Sequence, residues 1–379
     1  MHKIILNYVP VMIFYFVLSF GTVLPVHNSS VNNIAAVALC FIVSLYFFCI
    51  KTLPINRKFF MTISIIFFVL LLQLLRSNDW LYALSKIDGY IICLCILIMI
   101  YRRTTHSYAE NTKFWSSYVD FSAIILIATV LFKISFGFWE RDIRFLFNGS
   151  IIFGWLMALS AISSLFLYSR TPNRLSFKWL FFFIAFCLAV VWTESKGALL
   201  SLAAGIAVYS LSTNSKLIKS VAVLSFVLVL SIFVIPQFYL SLFDDTRYAA
   251  IFRFMLDQSV ESDWGSIGVR QEMFEYSIDL IEKHPLIGIG LGNFNYLNFF
   301  YPHNQHLEIF VEVGLFLFIS HCLFILYGFY LSSGLYRALI IAFAVGASFS
   351  GDIAYLRFVY LFVFLALLSS SKDAFGRVR

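Results

Sequence analysis

The chain has 379 residues, of which 61% are hydrophobic, 19% aromatic and only 12% charged, with a formal net charge of +7. A soluble domain carries about 25% charged residues, so the composition excludes the pair of ordinary soluble domains that the length alone would allow. Uncharged apolar runs of roughly 17–23 residues, long enough to cross ~30 Å of hydrocarbon, recur along the chain and predict an all-α integral membrane protein.

In chain order the runs give about twelve transmembrane helices, near 4–25, 34–50, 59–75, 87–101, 116–137, 150–168, 179–192, 197–212, 221–242, 306–328, 335–350 and 356–371. The first run follows Lys3 and ends at Thr22–Pro25 with no small-residue cleavage pattern, so it is expected to be a retained span and not a signal peptide. Cys40, Cys49, Cys93, Cys95, Cys187 and Cys322 all lie inside apolar runs without metal-ligand spacing. They read as small buried hydrophobes.

Basic residues gather in alternate short connections: Lys51, Arg57 and Lys58; Arg102, Arg103 and Lys113; Arg170, Arg174 and Lys178; Lys216 and Lys219; and the tail Lys372, Arg377 and Arg379. Such an excess marks the cytoplasmic side, which predicts that both termini are cytoplasmic. The other connections then face outward. Three parts follow: 1–243 with spans one to nine, 244–304 as one long outward loop, and 305–379 with spans ten to twelve and a short tail. Within the loop, Val269, Met273, Phe274, Ile278 and Ile281 recur at helical spacing and predict an amphipathic helix over about 268–283. His284-Pro285 ends it. Asn304 is placed to cap the next span, with Glu308 in its first turn, where negative charge is favoured.

Gly288-Ile-Gly290-Leu-Gly292 resembles part of a dinucleotide fingerprint, but no strand precedes it and no βαβ unit surrounds it. A turn whose backbone must approach a headgroup or a helix explains it better. His303, His306 and Glu308 lack the spacing of a known metal motif, so no metal and no cofactor are expected. His303 has two readings: a solvated residue, or a proton-transfer group at the mouth of a span near Glu308 and Glu312. Lys196, in the tight Thr193–Gly197 connection, is either a lysine snorkelling to the interface or a cation facing an internal cavity. Arg270, Arg141 and Arg144 have the same two readings. Lys133 is the candidate for a charge deep in a span, and Asp352 with Arg357 for a structural ion pair. Outward cations that depart from the charge rule suit a polyanionic ligand, and pyrophosphate is the obvious one at a lipid headgroup.

Three segments together resemble the O-antigen ligase and O-antigen polymerase superfamily of bacterial envelope glycan assembly. They are Ser195-Lys196-Gly197-Ala198-Leu199-Leu200; Arg270 to Phe294, with its helix, His-Pro and spaced glycines; and His303-Asn304-x-x-Leu307 followed by Glu312-x-Gly314-Leu315. Arg144 with Asn148 is a weaker match. The resemblance covers about residues 195–315. It implies a multi-span glycosyltransferase of the GT-C kind with a long periplasmic loop containing amphipathic helices, in the bacterial inner membrane. Such a protein moves a glycan from undecaprenyl diphosphate to an acceptor hydroxyl without nucleotide sugar or metal. It further implies that His303 is the base or orienting group, that Arg270 assists catalysis, and that Lys196, Arg270 and Arg144 bind the diphosphate. Lys196 departs from the family's arginine and loses its bidentate fork. Gly288, Gly290, Gly292 and Asn304 would form a substrate loop able to close over the sugar, so that Gly290→Pro would abolish product while leaving the fold. The implied partners are an undecaprenyl-diphosphate-linked oligosaccharide and membrane lipid, with a chain-length regulator protein as a candidate and no nucleic acid. Polymerisation onto another lipid-linked repeat unit is the first expectation. Ligation to lipid A–core is the alternative. A lipid-linked sugar flippase or transporter is the second, though transporters usually place their ionisable groups at the bilayer midplane.

Overall fold

The computed structural model describes residues 8, 10–15, 18–19, 57–87, 108–138, 145, 149–171, 176–235, 267–298, 302–349, 351 and 353–369. Among them the regular elements are helices: α1 (Arg57–Leu74), a helical stretch over 80–87, α2 (Tyr108–Phe136), α3 (Ser150–Arg170), α4 (Ser176–Trp192), α5 (Lys196–Leu211) and α6 (Lys216–Val234). Then follow α7 (Ile267–Lys283), α8 (Asn293–Asn298), α9 (Gln305–Leu331), α10 (Gly334–Ala347), a 3-10 turn Ile353–Leu356 and α11 (Arg357–Ser369). The expected spans at 34–50 and 87–101 lie almost wholly outside the described residues. So does most of the first span. Near residue 116 the chain departs from expectation, because α2 begins at Tyr108 and carries Lys113 within its first turns.

By length and composition, Asn111–Phe136, Ser150–Arg170 and Gln305–Leu331 suffice to cross a membrane, and α4, α5, α10 and α11 are shorter apolar helices. Exposure supports a lipid-facing surface. Ile124, Ile127, Leu131 and Ile134 of α2 are exposed at three- and four-residue spacing. Phe177, Phe181, Ile184 and Leu188 of α4, and Phe316, Ile319, Leu323 and Leu326 of α9, repeat the pattern. Long apolar stripes turned away from the core are what hydrocarbon contact requires.

The middle of the bundle is α3, buried from Ile152 to Leu167 and packed on α4, α5 and α10. It buries small residues that let neighbours close in. At Gly346 of α10 an added Cβ would meet Trp155 Nε1 at 3.1 Å and collide with the Ser201 hydroxyl. Polar groups in this core bond back to their own helix, as an apolar interior demands: Ser160 Oγ donates to the Leu156 carbonyl and Ser164 Oγ to the Ser160 carbonyl, each at 2.8 Å. Lys133 is fully buried, its Nζ 4.8 Å from the Phe145 ring centroid. Of the expected Asp352–Arg357 pair, Asp352 lies outside the described residues, while Arg357 donates to the Leu18 carbonyl at 3.0 Å. Cys187 and Cys322 are half-buried free thiols.

Candidate functional site

One end of the bundle gathers the connections into α5, α9 and the 3-10 turn. The α4–α5 turn is tight because Thr193 Oγ1 donates back to the Val190 carbonyl at 2.7 Å and Glu194 takes a left-handed backbone, φ 50°. Ser195 then caps α5, its hydroxyl accepting from the Ala198 amide at 3.4 Å. Lys196 is therefore the first helical residue, half-buried at the mouth.

The amphipathic helix occurs as α7, with its buried face turned from the expected one. Met273, Ser277 and Leu280 are buried, whereas Phe274 is 51% and Ile278 37% exposed. Ser277 is tolerated inside because its hydroxyl donates to the Met273 carbonyl at 2.6 Å. The buried face packs with Phe294 and Val311, so α7 lies against α8 and α9. Its first turn carries Arg270, half-buried.

The glycine segment is built into α9. That helix breaks at Gly314, where φ is 79° and ψ 177°. The break frees carbonyls that a continuous helix would use, and the turn supplies their partners. Ile289 N–H donates to the Val311 carbonyl at 2.9 Å and Gly290 N–H to the Glu312 carbonyl at 2.8 Å. The Leu315 amide is taken by the Pro285 carbonyl at 2.9 Å. A Cβ at Gly288, whose φ is 66°, would sit 2.5 Å from the Glu312 carbonyl oxygen and 2.6 Å from the Gly314 nitrogen. Gly290 and Gly292 likewise abut the Arg76 carbonyl and Ala83. The backbone approach expected of these glycines is an approach to a helix. Asn304 also acts locally: its side-chain oxygen accepts from the His306 and Leu307 amides, each at 3.1 Å, capping α9 as expected.

His303 precedes that cap with φ 55°, a left-handed conformation uncommon for a side-chain-bearing residue and often found where function demands it. It is half-buried, and burial first, then the positive charge of Arg270, pull its imidazole down to about 4. The same Arg270 charge acts on Lys196. Residues far apart in sequence thus share one positive field. The Arg270 charge reaches both Lys196 and His303. Arg144 lies outside the described residues, as do Arg141 and Asn148.

His306 belongs elsewhere. Its Nε2 faces the Ala344 carbonyl and its Nδ1 faces His321 Nε2, each at 2.8 Å, while His321 Nδ1 meets the Tyr360 hydroxyl. A carbonyl only accepts, so in the neutral rings the chain runs one way: Tyr360 to His321, His321 to His306, His306 to Ala344. This row pins α9 to α10 and α11.

Sequence reasoning missed the deepest charge cluster. Lys86 Nζ lies 2.6 Å from Glu308 Oε1 and 2.8 Å from Glu312 Oε1, with the side chains at most 1% exposed. Glu308 Oε2 also accepts from the Ile353 amide at 3.0 Å. The triad ties the stretch 80–87, α9 and the 3-10 turn together just below His303. Its signal was present: carboxylates at i and i+4 on an apolar helix face require a buried cation. Arg76 was missed too. It donates to the Ile287 and Gly288 carbonyls at 2.5 and 2.7 Å and so clamps the glycine turn. Asn293 completes the clamp, donating to the Arg76 carbonyl at 3.0 Å and accepting from the Asn78 amide at 2.8 Å.

No curated protein matches the chain. Residues 179–322 match the family model described as O-antigen ligase, a stretch that holds Lys196, Arg270, the glycine turn, His303 and the α9 break. In a chain with apolar helices long enough to cross a membrane, the match points to a glycosyltransferase-like activity in polysaccharide assembly. Residues 179–322 are thus similar to an O-antigen ligase domain, which supports the O-antigen ligase and polymerase superfamily for this part of the chain.

Proposed function

We propose that the protein is an O-antigen, or related surface-polysaccharide, polymerase. It transfers a glycan from undecaprenyl diphosphate to a hydroxyl of another lipid-linked repeat unit at the periplasmic face of the bacterial inner membrane. The observation that carries the reading is the family match over residues 179–322, which contains Lys196, Arg270 and His303. Lys196 and Arg270, each half-buried, are two cations beside a neutral imidazole, an arrangement that favours binding an anion. A lipid diphosphate supplies that anion and is the leaving group as well.

In the reaction the acceptor hydroxyl oxygen attacks the anomeric carbon. The bond from that carbon to the diphosphate oxygen breaks, and its electron pair leaves with the diphosphate. Arg270 offers a planar fork to the phosphoryl oxygens and Lys196 a point charge, and both meet negative charge as it develops. His303, neutral at pH 7, takes the acceptor proton or holds the hydroxyl in line. The diphosphate counters Arg270 and lifts the His303 pKa toward the range of an effective base. No metal is needed for these steps.

The description of the matched model favours a second reading, ligation of the glycan to lipid A–core. The acceptor separates the two. Purified protein is incubated with an undecaprenyl-diphosphate-linked oligosaccharide in EDTA, alone or with lipid A–core, beside His303→Ala and Arg270→Ala. A ladder without lipid A–core, lost in both variants, supports polymerisation. Transfer only when lipid A–core is present supports ligation. No transfer under either condition by folded protein refutes both.

A further inference from the structure

The short helix α8 has two faces. Phe294 turns toward α7, its ring centroid 5.8 Å from that of Tyr276. Gly292, Asn295 and Tyr296, at helical spacing, line a cleft of about 650 Å³ shared with Asp79, Tyr82 and Leu297. The volume falls within the ~300–1,000 Å³ of small-molecule sites.

The lining is selective. Tyr296 is 56% exposed, a large ring open to the cleft at the edge of a helix. Tyr82 offers a second ring, held 5.1 Å from Lys86 Nζ and so anchored by the buried triad. Asp79 spends one carboxylate oxygen on the Tyr82 amide at 3.0 Å, capping the stretch 80–87. Its second oxygen is not part of that cap. The Asn295 side-chain oxygen is buried without a hydrogen-bond partner among the described residues, and such an atom calls for a donor. Among the described residues no basic side chain lines the cleft and the charged one is an aspartate, a lining that disfavours phosphate.

Rings that stack on an apolar face, beside a carboxylate and an amide oxygen that accept hydrogen bonds, match a neutral sugar: pyranose C–H faces lie on aromatics and vicinal hydroxyls donate to acceptors. We infer that the cleft between Asp79–Tyr82 and α8 is a carbohydrate subsite, with Tyr82 and Tyr296 as platforms and Asp79 and Asn295 as hydroxyl acceptors. The inference deepens the glycan-transfer reading and rests on it for the choice of sugar. The subsite lies on the face of α8 away from the helix that carries Arg270, so it holds a glycan unit while the diphosphate stays with the cations.

The test is direct binding of a soluble oligosaccharide, with no lipid or phosphate, released from the source cell's own surface polysaccharide. Saturation-transfer NMR reads it on the full chain in nanodiscs. The expected result is binding weakened at least tenfold in Tyr296→Ala, in Asn295→Ala and in Asp79→Asn. The last keeps a good helix cap, which separates lost recognition from lost fold. Lys283→Ala, exposed on α7, serves as the unaffected control. No binding to wild type, or equal binding in all the variants, overturns the subsite and leaves the transfer reaction standing. Tyr296-dependent binding by a protein that forms no product with either acceptor keeps the subsite and removes the transfer reading.

Discussion

Lys86→Met is the sharpest test of what holds the site in place. The substitution removes the cation that lies 2.6 and 2.8 Å from two fully buried carboxylates and inserts an apolar chain of similar length. Removing one partner of a buried ion pair costs about 3–5 kcal/mol, because the remaining charge stays in low dielectric. Since about 1.4 kcal/mol is tenfold, the folded population falls roughly 10²- to 10⁴-fold against the unfolded. The glycine turn and the 3-10 turn should loosen with it, since Glu308 and Glu312 also receive the Ile353 and Phe294 amides. The assay is thermal unfolding of the protein in detergent, followed by intrinsic fluorescence. Lys86→Met should melt well below wild type. The triple variant Lys86→Met, Glu308→Gln, Glu312→Gln should recover much of the loss, because no unpaired charge remains. A single variant that melts like wild type, or a triple variant less stable than the single, would refute the reasoning.

Gly290→Pro deletes the amide bonded to the Glu312 carbonyl and pushes ring atoms toward the Arg76 carbonyl. The expected result is loss of folded protein by size-exclusion chromatography, contrary to the mobile-lid expectation. A folded but inactive variant would restore the lid. His303 carries a folded pKa of about 4, below its ordinary value near 6.5. Its contribution is therefore present above pH 6.5 and is lost as pH falls toward 4. Wild type should lose more stability across that window than His303→Gln, and parallel melting curves would contradict the assignment. Adding a soluble prenyl diphosphate should raise the His303 pKa, read by histidine NMR. An unchanged titration would remove the diphosphate from this site. Arg270→Ala should lower turnover by about 10²- to 10³-fold, the loss expected when a group meeting transition-state charge is removed. Lys196→Arg should lower the KM for the lipid donor by restoring a bidentate fork, and an unchanged KM would place Lys196 outside the phosphate contacts.

Much of the helical order was legible because it is local. The apolar runs at 59–75, 150–168, 179–192 and 306–328 correspond to α1, α3, α4 and α9 within a few residues, since each run satisfies its backbone internally wherever it packs. The Asn304 cap followed from one side chain and two neighbouring amides. The face of α7 was read incompletely: Phe274 and Ile278 fit the apolar period, but the partner surface took Met273, Ser277 and Leu280. Periodicity ranks faces by hydrophobicity, and packing chooses the one whose shape fits.

The sequence by itself determined that this is an apolar helical chain, where several of its helices run, and which motif residues carry charge at their ends. Only the tertiary structure decided which charges meet. Lys86 joins Glu308 across 222 positions and Arg76 joins Gly288 across 212, and no local pattern encodes such distances. The same holds for Arg270, whose charge reaches both Lys196 and His303. The glycines show why the two levels differ. Spacing revealed a backbone needing room, but only the break at Gly314 showed that the room is filled by α9. A hydrogen bond within one helix turn is fixed by chain geometry, whereas a bond between helices exists only after the bundle has assembled.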